Sequence, residues 1–221
     1  MAHRGLTQQL VIEAAAAVAD RGGLASVSMR TVAAELDVQA MSLYHHVANK
    51  HALLFLLADG AYGAMVVPDD AEPWREGMRR RAWALLDDTK RHPWIRDVFG
   101  APDPGPLQLG HWEAMFRYLS VHGFPTAFAS SALYAIDSYV LGFATMTRSV
   151  PLVGESRRDV DAFVADLAPA IADYPLVAAA VASNIAQPQG SVIEQFDIGL
   201  GFIVDGLDRS LAALVAEAAR S

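Results

Sequence analysis

The chain has 221 residues, is 53% hydrophobic, lacks cysteine and carries a net charge of −8. That length and apolar content exclude a disordered chain and allow one large folding unit or two unequal ones. The lack of cysteine excludes disulfides, thiol catalysis and cysteine metal sites, and fits a reducing compartment.

Leu10, Ala14, Ala17, Val18 and Arg21 recur at helical spacing and predict a first helix, stopped by Gly22-Gly23. Ser28 is placed to cap a short helix reaching about Leu36. Asp37-Val38 makes a turn, and residues 39–46 form the next short helix. Asn49 caps a longer helix through Leu53, Leu54, Leu57 and Ala61 to about Met65. Val67-Pro68-Asp69-Asp70 to Pro73 breaks the pattern and marks a boundary near residue 66.

Beyond it, helices are predicted over residues 74–92, 107–122 and 125–147, the first two parted by Pro93 and Gly100-Ala-Pro-Asp-Pro-Gly-Pro. Residues 150–159 read as a loop. Shorter helical pieces follow between 160 and 186, separated by Pro169 and Pro175. Pro188-Gln-Gly190 ends that region, and a last helix runs from about Ser191 nearly to the C-terminus. No segment alternates like a strand, so the fold class is all-α. The apolar tracts at 14–19 and 52–58 fall short of the roughly 20 residues a membrane span needs, so a soluble cytoplasmic protein with no membrane partner is expected.

Two short helices joined by a tight turn, with a third starting at once, have the layout of a helix-turn-helix that reads a DNA groove. Net acidity argues against broad electrostatic binding. Over residues 1–50, however, Arg4, Arg21, Arg30 and Lys50 balance Glu13, Asp20, Glu35 and Asp37, so the acid excess lies elsewhere. Phosphate contacts would rest on a few placed cations, helix N-terminal amides and histidines. Within the second short helix, Leu43 and Val47 lie four apart and should face the core. Gln39, Ala40 and Ser42, at its N-terminal end, are candidates for base edges, and Ala40 and Met41 suit thymine methyls.

Val27-Ser-Met-Arg-Thr-Val-Ala-Ala-Glu-Leu, Ser42-Leu-Tyr-His-His-Val and Asn49-Lys-His-Ala-Leu-Leu, in that order and spacing, resemble the tetracycline-repressor family of bacterial regulators. Phe124-Pro-Thr-Ala-Phe-Ala-Ser-Ser-Ala-Leu-Tyr-Ala-Ile and Phe196-Asp-Ile-Gly-Leu-Gly-Phe-Ile-Val-Asp-Gly-Leu resemble its C-terminal domain more loosely. The resemblance implies a homodimer with a three-helix DNA-binding head, residues 1–66, and a larger helical-bundle body for effector binding and dimerisation, residues 67–221. It implies a base contact for Arg30, phosphate contacts for Tyr44 and Lys50, and a backbone contact for His45. A plain surface role for Arg30 and Lys50 stays open. One departure is Asp37, where the family often has glycine.

The resemblance also implies a four-helix dimer interface from residues 127–146 and the last helix, with Ala132, Ala135, Ile136, Gly199, Ile203 and Gly206 allowing close approach. Where the family's drug site has two histidines, this chain has Met65 and Phe99; Arg81, Leu85 and Met115 replace an Asn, a Phe and a Gln. Ligands for a magnesium chelate are missing, so tetracycline is not the expected effector. Met65, Leu85, Phe99, Trp112, Met115, Phe116, Tyr139 and Phe143 instead suit a small apolar or aromatic molecule, with Arg81 available to a carboxylate. The same set also reads as plain core. No cofactor and no metal site are expected.

The expected function is a ligand-responsive regulator released from a palindromic DNA operator, with repression the family default and activation open. The rivals are a helical adaptor that has lost DNA binding and a helical-bundle enzyme. No Glu-x-x-His pair, no zinc spacing among the histidines, no Gly-x-x-x-x-Gly-Lys and no Gly-x-Ser-x-Gly supports the enzyme.

Overall fold

The computed structural model describes residues 5–99, 103–147, 157–186 and 192–220, and no strand occurs among them. They fall into two compact units, the first ending at residue 130 and the second beginning at 131.

The first unit opens with α1 (Gln8–Ser26), α2 (Met29–Glu35), α3 (Ala40–Leu43) and α4 (Lys50–Ala64). Thr7 caps α1 through the N–H of Leu10. Gly23 interrupts α1 at φ 70°, where the sequence places the stop, and one further helical turn follows. Ser28 and Thr31 form a reciprocal capping box at the start of α2. Asp37 ends α2 in the left-handed region at φ 53°. There the Val38 N–H donates to Ala33 O at 3.0 Å and the Asp37 N–H to Ala34 O at 3.3 Å, a Schellman turn built on aspartate. Asn49 Oδ1 accepts the Ala52 N–H at 2.9 Å and caps α4. Val11, Ala15, Val32, Leu43 and Leu53, drawn from all four of these helices, are fully buried and form the centre of the head.

The recognition helix is shorter than the expected 39–46. α3 ends at Leu43, and residues 44–46 form a turn in which the His46 N–H donates to Leu43 O at 2.9 Å. Tightening of a last turn in this way is common where the orphan carbonyls of a helix end need donors.

α5 (Trp74–Arg91), α6 (Ile95–Val98) and α7 (Pro106–Val121) complete the first unit with the start of α8 (Thr126–Met146). α6 was not foreseen; it is four residues long, too short to leave a period in the sequence. The segment before α5 is held by the paired hydrogen bonds of Arg80 to Glu72, at 3.0 and 2.6 Å, and by Tyr118 Oη donating to Glu72 O and Pro73 O. α7 ends in a second Schellman turn on Gly123 at φ 83°.

The second unit holds the rest of α8, α9 (Arg157–Ile171), α10 (Pro175–Ala186) and α11 (Val192–Ala218). α9 runs through Pro169 instead of breaking there. Of the expected loop at 150–159, residues 150–156 lie outside the described residues and 157–159 are helical. Pro188-Gln-Gly190 and Ser191 also lie outside them. α8 is the one described helix long and apolar enough, by length and composition, to cross a membrane. In this fold its Ile136 and Val140 are fully buried, and Tyr139 Oη donates to Phe196 O of α11 at 2.9 Å.

Candidate nucleic-acid interface and effector site

The α2–α3 unit sorts its side chains as the spacing predicts. Leu43 and Val47 are buried, while Met41 is 72% exposed and Tyr44, Gln39 and His45 are exposed beside it. Ala40 and Ser42 are half-buried on the same short helix. A methionine and a tyrosine standing in water cost apolar exposure that a partner surface would relieve. Arg30, at the start of α2, and Lys50, at the start of α4, are exposed, and neither makes an ion pair among the described residues. Arg21 is different: though exposed, it pairs with Glu35 across α1 and α2.

Hydrogen bonds at two carboxylates, Asp59 and Asp20, help join this head to the helices after residue 73. Asp59, 5% exposed on α4, accepts the Gln108 backbone N–H at the start of α7 at 2.8 Å. Asp20, on α1, accepts from Trp94 Nε1 at 2.7 Å, and His92 Nδ1 lies 2.8 Å from the same oxygen. Gly105 leaves the room that the first contact needs, because a Cβ there would overlap the Asp59 carboxylate.

The expected effector residues are distributed over both units. Met65, Leu85 and Met115 are buried, and Phe116 is half-buried. Phe99 and Trp112 meet around Tyr62, with ring centroids 5.1 and 6.2 Å from it. Arg81 is 3% exposed, with Nη2 3.5 Å from His111 Nε2. Tyr139 and Phe143 belong to the second unit and pack on Phe196, at 5.3 and 5.1 Å between ring centroids.

Sequence reasoning missed Tyr62, Gln108 and His111. Tyr62 stands between Phe99, Trp112 and His111. Gln108 and His111 are buried one turn apart on α7, on the face that also buries Met115 and Tyr118. Two polar residues interrupting an otherwise apolar stripe were the available signal.

The small residues expected to bring two copies together are partly spent within one. Ala132 and Ile136 are buried, and Gly199 is where the Tyr139 ring crosses α11, too close for a Cβ. Ala135 is exposed and Ile203 and Gly206 are half-buried. Large apolar groups lie outside instead: Tyr134 and Met146 on α8, and Ile198 and Phe202 on α11.

Residues 11–57 match the family described as bacterial regulatory proteins, tetR family, and residues 67–211 match the tetracyclin repressor-like C-terminal domain. An HTH-type transcriptional regulator of Saccharopolyspora erythraea is 32% identical over 91% of this chain and 84% of its own length. The HTH-type transcriptional repressor DrrR1 of Streptomyces coeruleorubidus is 32% identical over 97% of this chain and 82% of its own. The structure of apo ActR from Streptomyces coelicolor superposes with a TM-score of 0.73 at 24% identity, covering 96% of this chain and all of that one. ActR bound to actinorhodin gives 0.72 at 23% identity, over 94% and 99%. At such identity these two speak for the fold.

Proposed function

The chain belongs to the TetR family of bacterial DNA-binding transcriptional regulators, which are not enzymes, and from that premise we propose a cytoplasmic homodimeric repressor released from a palindromic operator by a small apolar or aromatic effector. The observation that carries it is the outward set on α3 and its following turn, Met41 and Tyr44, over the buried Leu43. Gln39, Ala40, Met41 and Ser42 meet base edges. Arg30 reads a base from α2. Tyr44, His45 and Lys50 hold phosphates.

The functional division runs near residue 66, between a reading head and a responding body. Two copies join through α8 and α11, where Tyr134, Ile198 and Phe202 supply exposed apolar surface; Ile198 and Phe202, four apart, share one face. A two-fold dimer presents two identical heads, so its half-sites are separated by about one helical turn or slightly more. The effector's entry biases α4, which carries both Leu53 of the head core and Asp59 at the α7 contact. It acts by binding the released form more tightly than the DNA-bound form.

DrrR1, by its name, is a repressor, and ActR, by its structure's description, takes actinorhodin. Both support this reading of the present chain. The test is selection of bound duplexes from a randomised pool at several salt concentrations. A recovered two-fold sequence with steeply salt-dependent affinity is the expected result. Failure to enrich any duplex overturns the proposal.

A further inference from the structure

Gln108 has two amides with different fates. Its backbone N–H is donated to Asp59 Oδ1 on α4, while its side-chain Nε2 is buried and has no hydrogen-bond partner. The residue is 2% exposed. A buried donor without an acceptor is destabilising, and native folds retain few of them. One turn along the same face of α7 lies His111, which reaches Arg81 of α5. The Tyr62 ring stands 6.2 Å from the His111 ring, with Phe99 and Trp112 around it. His111 thus touches both the buried Arg81 and the Tyr62 ring, and the buried, unpartnered Gln108 Nε2 belongs to the residue one turn before it on the same face of α7.

We propose that Gln108 is the residue that senses the effector, and that the effector is a flat aromatic molecule bearing an acceptor oxygen, a quinone carbonyl or an ionised hydroxyl. This rests on the effector reading given above and specifies its chemistry. The ring system lies against Tyr62 and Trp112, and its oxygen takes the Gln108 Nε2–H. Arg81, whose guanidinium carries donors and no acceptor, and His111 form the rest of the polar edge and favour partial or full negative charge there. Because the same residue holds Asp59 through its backbone, a shift of Gln108 toward the ligand is felt by α4. Sensing and transmission meet in one residue, and each part can be removed separately.

The experiment uses the full chain and two matched pairs of probes: 2-hydroxy-1,4-naphthoquinone with naphthalene, and 1,4-dihydroxyanthraquinone with anthracene. Binding is read by tryptophan fluorescence, and release by anisotropy of a labelled duplex recovered from the randomised pool. In at least one pair the oxygenated probe should bind wild type roughly 10-fold tighter or more, about 1.4 kcal/mol per factor of ten. Gln108→Met, of similar length but without the donor, should bring the pair to within about two-fold of each other. Gln108→Leu serves the same purpose if Met misfolds. Asp59→Ala should keep the preference and lose most of the duplex release. Equal binding of the members of both pairs, binding of no probe, or a preference that survives both Gln108 variants overturns the inference. If wild type binds the duplex but shows no preference, only this inference falls. If no duplex is bound, the regulator reading falls while the fluorescence comparison still decides the role of Gln108.

Discussion

The Asp59 carboxylate caps a helix to which it does not belong: its Oδ1 accepts the Gln108 N–H at 2.8 Å, three residues inside α7 from Gly105. Gly105 has no side chain for that task and leaves space for one from α4. A cap supplied across two elements fastens them together as well as satisfying an orphan N–H. The contact therefore serves both the start of α7 and the packing of α4 against it. Asp59→Ala should lower unfolding stability by about 0.5–2 kcal/mol in urea titration. Asp59→Asn, which keeps an acceptor, should lose less. Stability of the alanine variant equal to wild type would refute the cap.

A similar fastening acts at Asp20. Trp94 is buried at 4% exposure, and its indole N–H is satisfied by the Asp20 carboxylate. Removing the acceptor leaves that donor unpaired, so Asp20→Ala should cost about 1–3 kcal/mol. The comparison with Trp94→Phe is informative, because the phenyl ring carries no donor. The double variant should be less destabilised than the sum of the two singles, since each removes one half of the same bond. Additive losses would show that the two side chains do not communicate.

On the DNA side, Arg30 and Lys50 should fail differently. Arg30→Ala should weaken specific binding by about 1–3 kcal/mol per head and relax preference at one operator position. Lys50→Ala should weaken all duplexes alike and reduce the salt slope by about one per head. Anisotropy titrations across salt concentrations, on the selected operator and on a scrambled duplex, separate the two. Identical signatures for both variants would remove the distinction between base and phosphate contact.

Why these assignments were readable while others were not follows from where the information lies. The Asp37 turn, the Ser28 and Asn49 caps and the inward Leu43–Val47 pair are local; each depends on residues within a turn of one another, and each appears where the spacing places it. The short span of α3 was missed because residues 44–46 follow on as a turn that keeps helix-like hydrogen bonding, with the His46 and Val47 N–H groups both donating to Leu43 O. Tyr62, Gln108 and His111 were missed for another reason. They come together only because α4 packs against α7, and no period within either helix says which partner it meets. The same applies to Ala132, Ile136 and Gly199: small and apolar residues suit an interface between copies, but the fold uses them inside one copy.

Alkaline pH offers a probe of the segment before α5. Tyr118 is fully buried, and burial, aided by the nearby Glu72 carboxylate, pushes its phenol from 10.0 up to about 12. The folded chain thus holds this proton more tightly than the unfolded one. The stabilisation is complete below pH 10 and is lost as pH rises through that window toward about 12. Wild type should show a falling urea midpoint over this range. Tyr118→Phe should start less stable, having lost the bonds to Glu72 O and Pro73 O, but fall more gently. Some slope should remain from Tyr139, whose phenol is also raised by burial. Parallel curves for the two proteins would refute the titration.

Finally, the apolar surface of α11 makes a prediction that separates folding from pairing. Phe202 is 73% exposed in the single chain, so replacing it with a charge removes little from that chain's own core. If two copies meet there, an ionised carboxylate in the contact carries a heavy desolvation cost. Phe202→Glu should therefore leave helicity and the single-chain unfolding signal near wild type, within about 0.5 kcal/mol, as expected of a surface change. In light scattering it should shift the mass from dimer to monomer. Operator affinity should collapse with it, because one head alone makes half the contacts and forfeits the gain of linking two. A variant that remains dimeric and binds the full operator as tightly as wild type would move the interface away from α11. A variant that turns monomeric yet keeps full affinity would instead dissociate DNA reading from pairing.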